Sequence, residues 1–379
     1  MFKLGIIGYG SRMSNFVDRI METEKAIPVA IADPDLDGAK KRAAERNLTG
    51  ITYYADAEEM LRQETLDGIC IGTRCSSHTH FALLAAEYGV PVFLEKPVAT
   101  NESDLARLST LLHQNEQFLV SFPLRFTKIV NCVKEIIDSG KIGDVQHVQA
   151  YNNVPYARGY YHKWYRDESE TGGLFLQKST HDFDYINYLL GGIKPVRICA
   201  MESKQIFKGN KPAGLMCKDC NERSFCPESP ENVKSYGDRY EISKEYYCCF
   251  AEDTGNHDSA SVIIEYETGM HVVYSQNFIA RKGAKKRGAR LFGYFGTVEF
   301  DFNTGIVTVY HHNEEIVETY QVTNTGHHYG GDNILAQNFV DMLGRTAPSK
   351  APLWEGILSA DMCLKARTSA LEHRFVEIT

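Results

Sequence analysis

An apolar strand over residues 3–8 runs into Gly8-Tyr9-Gly10-Ser11-Arg12-Met13, and an amphipathic helical pattern follows through Phe16, Val17, Ile20 and Met21. This unit constrains the fold more than any other stretch of the chain. It carries the first two glycines of a G-x-G-x-x-G turn, with Met13 in the third place. Gly8 permits the tight turn, and Gly10 lets a pyrophosphate approach backbone N–H groups at a helix N-terminus. A second strand over 28–32 ends in Asp33. An acid there accepts from both ribose hydroxyls and repels a 2′-phosphate, which favours NAD over NADP. Arg12 argues the other way, since its cation suits a 2′-phosphate.

Strands and helices keep alternating: helix 36–46, strand 51–54, helix 58–62, strand 68–72, helix 78–87, strand 91–94. Asn101-Glu102-Ser103-Asp104 resembles a capping box opening a helix to residue 112, and 118–120 is a last strand. Repeated units of this length predict a parallel, doubly wound α/β sheet. Gly8, Asp33, Thr73 and Glu95-Lys96-Pro97 then share its carboxyl edge, where ligands bind.

With 379 residues the chain is too long for one ordinary core, so two domains are expected: 1–122 for the nucleotide and 123–379 for the substrate. The net charge of −8 argues against nucleic acid or an anionic membrane as partner. The first strand begins at once, no apolar run is long enough to span a bilayer, and most cysteines lie singly in apolar contexts. A cytoplasmic protein is the expectation.

Lys96 ends a strand facing the ligand crevice, where an ammonium would steady a developing alkoxide. His181 titrates near neutrality and suits a general base. It opens the apolar helical pattern of Phe183, Ile186, Leu189 and Leu190, which puts it at a helix N-terminus with Asp184 one turn on. Gln177 and Lys178 precede it, with Lys178 either a substrate contact or a helix-start surface cation. The segment 151–165 carries Tyr156, Arg158, Tyr160, Tyr161, His162, Trp164 and Tyr165, suited either to stacking on sugar faces or to strand packing. The basic run Arg281–Arg290 is expected as a solvated loop, or as a grip on an anion. Cys217-Lys218-Asp219-Cys220 with Cys226 and Cys249, or Cys248 in the place of Cys249, has the ligand set of a structural zinc site. Free thiols and a disulfide are the alternatives, the latter poorly suited to a cytoplasm.

The combination resembles the Gfo/Idh/MocA family of nicotinamide-dependent sugar and cyclitol oxidoreductases. The matching pieces are Gly8-Tyr9-Gly10-Ser11-Arg12, Asp33, Thr73, His78, Glu95-Lys96-Pro97, Arg125, Gly140-Lys141-Ile142-Gly143-Asp144, and Thr171-Gly172-Gly173 leading to His181 and Asp184. The resemblance implies bound NAD, with Thr73, Arg74, His78, Glu95, Lys96, Pro97 and Arg125 around it, and Lys96 with His181 as catalytic pair. It also implies an open, mostly antiparallel second sheet that supplies a substrate wall and the contact of a homodimer or homotetramer. Two departures stand out. Arg74 replaces the family's proline after the threonine, and Gln177 replaces the aspartate four residues before the histidine. A glutamine binds a hydroxyl but carries no proton. The expected activity is oxidation of a secondary hydroxyl of a sugar, glycoside or cyclitol by hydride transfer to NAD. A redox glycosidase that uses NAD transiently is the alternative, and a non-catalytic NAD sensor a third.

Overall fold

The computed structural model describes residues 1–155, 158–232, 246–323 and 326–378. Six strands form the first sheet: β1 (Phe2–Ile7), β2 (Ala26–Ala32), β3 (Thr52–Tyr54), β4 (Gly68–Ile71), β5 (Val92–Leu94) and β6 (Phe118–Val120). All pair in parallel, in the order β3-β2-β1-β4-β5-β6. Their near-continuous apolar content fits a sheet covered on both faces. The order reverses between β1 and β4, which opens the ligand crevice at their carboxyl ends.

The second sheet, among the described residues, holds β7 (Val145–Asn153), β8 (Pro195–Ser203), β9 (Ser259–Tyr266), β10 (His271–Asn277), β11 (Lys286–Gly293), β12 (Gly296–Asp301), β13 (Ile306–His311), β14 (Val317–Gln321) and β15 (Val376–Glu377). Their order is β14-β13-β12-β11-β7-β10-β9-β8-β15, antiparallel except for β7 with β10. Burial alternates along β10, so Val272, Tyr274 and Gln276 face the helices. Val273 and its register neighbour Ile263 point to the open face.

The helices Gly331–Leu343 and Leu353–Glu372 belong to neither half alone. Phe339 packs edge-on to Phe93 of β5 at 5.9 Å between ring centres. Gly356 lies so close to the first sheet that an added Cβ would meet Val98 and Val120 at 2.8 and 2.9 Å. One apolar core consequently spans both sheets. A smaller cluster of Val154, Tyr161, Leu174, Phe207, Cys249 and Phe278 supports the cysteine-bearing insertion.

Two expected elements shift. The helix capped by Asn101, whose Oδ1 accepts from the Asp104 N–H at 2.9 Å, ends at Ser109 and passes into 3₁₀ turns over Leu112–Gln117. The helix expected to open at His181 starts earlier. Gly172 and Gly173, at φ 70° and 87°, turn the chain into a π-helical turn over Phe175–Ser179, which continues as the helix Thr180–Leu189. His181 therefore lies inside a continuous helix. Single π turns often mark functional sites because they re-aim the side chains they carry.

Candidate active site

The turn after β1 has the shape a dinucleotide needs. Gly8 adopts φ +80°, and a Cβ on it would meet the Thr73 backbone at 2.8 Å. Gly10 caps the helix Ser11–Met21 without a side chain, and a Cβ placed there meets nothing within 4 Å. That open space over free helix N–H groups fits a pyrophosphate. Met13, in the place of the third glycine, is fully buried against Gly72, where an added Cβ would meet its Cε at 2.6 Å. The small residue has moved from the helix to the facing strand. The Asp33 carboxylate accepts from the N–H of Tyr9 at 2.8 Å and of Asp35 at 2.9 Å. Tyr9 turns its ring into the core, where burial pushes its phenol up to about 12.

Arg12 points away from the ribose side. It donates to Glu95 and Asp332, both at 2.8 Å, and to Ser121 at 3.2 Å. Arg42 is the cation beside the Gly8–Gly10 turn, donating to the Tyr9 carbonyl at 2.6 Å. No sequence signal marked it, because it lies on a different helix, Leu36–Ala44.

Two loops border the crevice beside that turn. His78 ties them: Nδ1 lies 2.8 Å from the Pro97 carbonyl and Nε2 3.2 Å from the Thr73 carbonyl. The Ser77 hydroxyl donates to Thr73 Oγ1 at 2.8 Å. Arg74, where the family has proline, stacks its guanidinium 3.7 Å from the Trp164 ring, and Trp164 stacks on Tyr165 at 3.9 Å. The departure at Arg74 thus joins the first half of the chain to the aromatic segment of the second. Ser76 adds a hydrogen bond to Glu170 at 2.7 Å.

Lys96 is half-buried in the crevice and donates to the Gln177 carbonyl at 3.2 Å, so the two halves meet at this lysine. Burial lowers its pKa, and Lys178 and Arg12 add to that, against the opposing pull of Cys75 and Glu95. Gln177 spends its amide donors on Cys75 Sγ and the Thr171 carbonyl, both at 3.3 Å. Lys178 is buried rather than a surface cation, with its ammonium 4.7 Å from the Tyr160 ring centre. One turn on, His181 is 5% exposed and its Nδ1 has no hydrogen-bond partner. Burial first, then Lys96, His328, Arg287 and Lys178, drives its pKa well below the ordinary range, so it enters the site neutral. A neutral imidazole beside an ammonium can take an alcohol proton while the cation steadies the alkoxide.

Asp184 is not the partner of that histidine. It is bound by Arg125, which also donates to Glu355 and to the Lys350 carbonyl at 2.9 Å. Arg125, expected at the cofactor, thereby braces the helix Thr180–Leu189 against the C-terminal helices. Asp182 accepts from Asn152 and Arg287 at 2.8 Å and from Tyr274 at 2.9 Å. Arg287 belongs to the run expected as a solvated basic loop. It sits instead on β11, 6% exposed, because Asp182 compensates its buried charge. Arg158 is directed to the insertion, near Glu228 at 3.5 Å and donating to the Pro227 carbonyl at 3.1 Å. Tyr156 lies outside the described residues.

Cys217, Cys220, Cys226, Cys248 and Cys249 line one small cavity with His162. Cys249 is packed into the smaller apolar cluster, to which Cys248 does not belong. Among the described residues no group of three or more His, Cys, Asp or Glu side chains is disposed to hold a metal ion as it stands. None of the described helices is long and apolar enough to cross a membrane.

The residues missed entirely were His328 and Asp332. His328 packs its ring 5.7 Å from that of His181 and lies 2.9 Å from Asp332. Gly330-Gly331-Asp332 before an apolar helical pattern was the only hint of a special turn there.

Two family descriptions match the chain: "Oxidoreductase family, NAD-binding Rossmann fold" over residues 2–122, and "GFO/IDH/MocA C-terminal domain" over residues 130–299. The Bacillus subtilis (strain 168) protein named "Putative oxidoreductase YteT" is 26% identical over 319 residues, covering 74% of this chain and 73% of its own. Myo-inositol 2-dehydrogenase of Thermotoga maritima is 25% identical over 192 residues, 50% of this chain and 55% of its own, so only about half of that enzyme is spanned. Among solved structures, levoglucosan dehydrogenase in complex with NADH and levoglucosan superposes with a TM-score of 0.78 at 16% identity, covering 100% of this chain and 99% of that one. At that identity the likeness is one of fold. Taken with the two domain matches, it follows that the chain is a member of the Gfo/Idh/MocA oxidoreductase family, with an NAD-binding Rossmann domain.

Proposed function

We propose that this protein oxidises a secondary hydroxyl of a cyclitol, sugar or glycoside, with NAD as the hydride acceptor. The observation that carries the reading is the meeting of Lys96 and the helix of His181 across the crevice, at the sheet edge that also bears the Gly8–Gly10 turn. Gly8, Gly10 and Asp33 would hold the dinucleotide. Lys96 would fix the reacting oxygen and offset its charge, and His181 would take the proton. Substrate classes enter through the relatives, which include inositol and levoglucosan dehydrogenases by name. Trp164 and Tyr160 would supply the apolar wall.

Gln177 supports a second reading, in which a glycoside is oxidised transiently and cleaved, because this site lacks the acid expected four residues before the histidine. Incubation with NAD and a panel of cyclitols, free sugars and glycosides decides the matter. NADH accumulating in proportion to oxidised product supports the dehydrogenase. Free sugar without NADH moves the assignment to cleavage, and NAD binding with neither product leaves a sensor.

We also propose that Cys217, Cys220, Cys226 and Cys248 hold a structural zinc ion, supported by the C-x-x-C spacing and the shared cavity. The thiols would need to close inward on binding. Metal analysis of untagged protein should find about one zinc per chain; four freely titratable thiols and no zinc would remove the idea. The open face of the second sheet, with Ile263 44% and Val273 37% exposed in register, is the proposed homo-oligomer contact. Light scattering on a Val273→Lys variant tests it.

A further inference from the structure

We propose that His328, held by Asp332, is a positioning residue that receives the proton from His181 and passes it to solvent, in place of the acid that position 177 lacks. The inference rests on the proposed oxidation, and several independent features of the geometry converge on it.

The first is an unmet need. The groups acting most strongly on His181 are Lys96, His328, Arg287 and Lys178, drawn from the loop after β5, the segment before Gly331–Leu343, β11 and its own helix. All of them disfavour an imidazolium, so a proton arriving there must move on. Gln177 cannot accept it, and its amide donors are bound to Cys75 and Thr171. Asp182 and Asp184 are occupied by Arg287 and Arg125.

The second is placement. The His328 ring lies 5.7 Å from the His181 ring, centre to centre, and His181 Nδ1 is buried without a partner. His328 Nδ1 is 2.9 Å from Asp332 Oδ2, and a third of its side chain reaches solvent. The groups facing His328 are Asp332, Arg12, Glu95 and His181. Burial opposes the Asp332 charge, but His328 and Arg12 outweigh it and keep the carboxylate ionised. Asp332 therefore stays a fixed negative anchor, while burial lowers the His328 pKa, so a proton that reaches His328 is passed on rather than kept.

The third is backbone strain. His328 and Tyr329 take φ values of 45° and 56°, followed by Gly330 at 87°. Consecutive left-handed non-glycine residues are sparsely populated, and they persist where the surroundings over-determine them, often at functional sites.

In oxidation the O–H bond of the alcohol breaks and its proton goes to His181. The carbinol C–H bond breaks, and its hydrogen leaves with both electrons to NAD. Once the two rings close from their resting 5.7 Å to hydrogen-bond distance, the proton on His181 transfers to His328, and from there to water.

The test begins on protein without cofactor. Histidine-labelled protein is titrated by NMR as wild type, His328→Gln and Asp332→Asn. Coupled rings should show two inflections each in the wild type, and His181 a single one in His328→Gln. Because Asp332 also anchors Arg12, His328→Gln, which leaves that ion pair intact, carries the decision. With an alcohol substrate, His328→Gln should lower kcat by about tenfold or more with KM nearly unchanged, and should move the acid limb of the pH profile. A single-step His181 titration in the wild type, unaltered by His328→Gln, overturns the proposal. If no alcohol is oxidised by the wild type, the functional reading fails, while the titration still decides the coupling.

Discussion

The cofactor edge and the catalytic wall of the crevice are built by opposite means. At the edge, backbone does the work: Gly8 must adopt φ +80°, Gly10 must leave its Cβ position empty, and one carboxylate, Asp33, closes the turn. Across the crevice, backbone matters less than side chains gathered from distant segments, namely Lys96, Gln177 with His181, Arg287, and His328 with Asp332. A local turn tolerates change around it. A wall of charges in mutual contact does not, because each buried group depends on a partner far away in the chain.

The sharpest way to test this contrast is Arg125. If it braces the wall, Arg125→Ala should destabilise the protein by roughly 3–5 kcal/mol, since Asp184 would be left buried and unpaired, while NAD affinity barely changes. Denaturant titration with calorimetry of NAD binding gives both numbers. A stable variant with weakened NAD binding would return Arg125 to the cofactor.

Acid should act next, on the buried histidines. Burial drives His162 down to about 4, and lowers His78 and His181 as well. The unfolded chain takes up these protons near pH 6.5 while the folded one refuses them. Stability is therefore full above about pH 6.5 and falls as the pH drops toward 4. His162 alone contributes roughly 3 kcal/mol to that loss, at ~1.4 kcal/mol per unit. A melting temperature constant between pH 7 and pH 4 would contradict it.

Replacing Lys96 or His181 by Ala should lower kcat by about a hundredfold, with NAD affinity nearly unchanged in His181→Ala. Near-normal turnover in His181→Ala would send the proton out by another route, with Lys96 the first suspect. The smallest effect is expected at the edge: at least a tenfold preference for NAD over NADP, or about 1.4 kcal/mol, largely lost in Asp33→Ala. Arg12 no longer argues against this, because it is held by Glu95 and Asp332. Equal affinity for both nucleotides would point to Arg42.

The same contrast explains what could be foreseen. The first sheet followed from alternation and turn residues, because the strand and helix periods of its short units are each visible within a dozen residues. Lys96 and His181 stood out because they sit where such units end. The partners of His181 did not. His328 lies 147 positions further on, and nothing local tells that the helices of the last fifty residues fold back to the first sheet. Arg287 is hidden for the same reason: its run of like charges resembles a solvated loop until Asp182 is placed beside it.

The helices shared between the sheets bear on how far this protein is modular. A piece ending at Phe122 would bare the apolar surface that Phe339, Leu343 and Gly356 now cover, on β5, β4 and the strand edge near Val120. The nucleotide half is therefore not a cassette that can be lifted out or traded for another. Its last structural layer is supplied from the opposite end of the chain, so the first sheet is fully covered only after nearly all of the protein has been made.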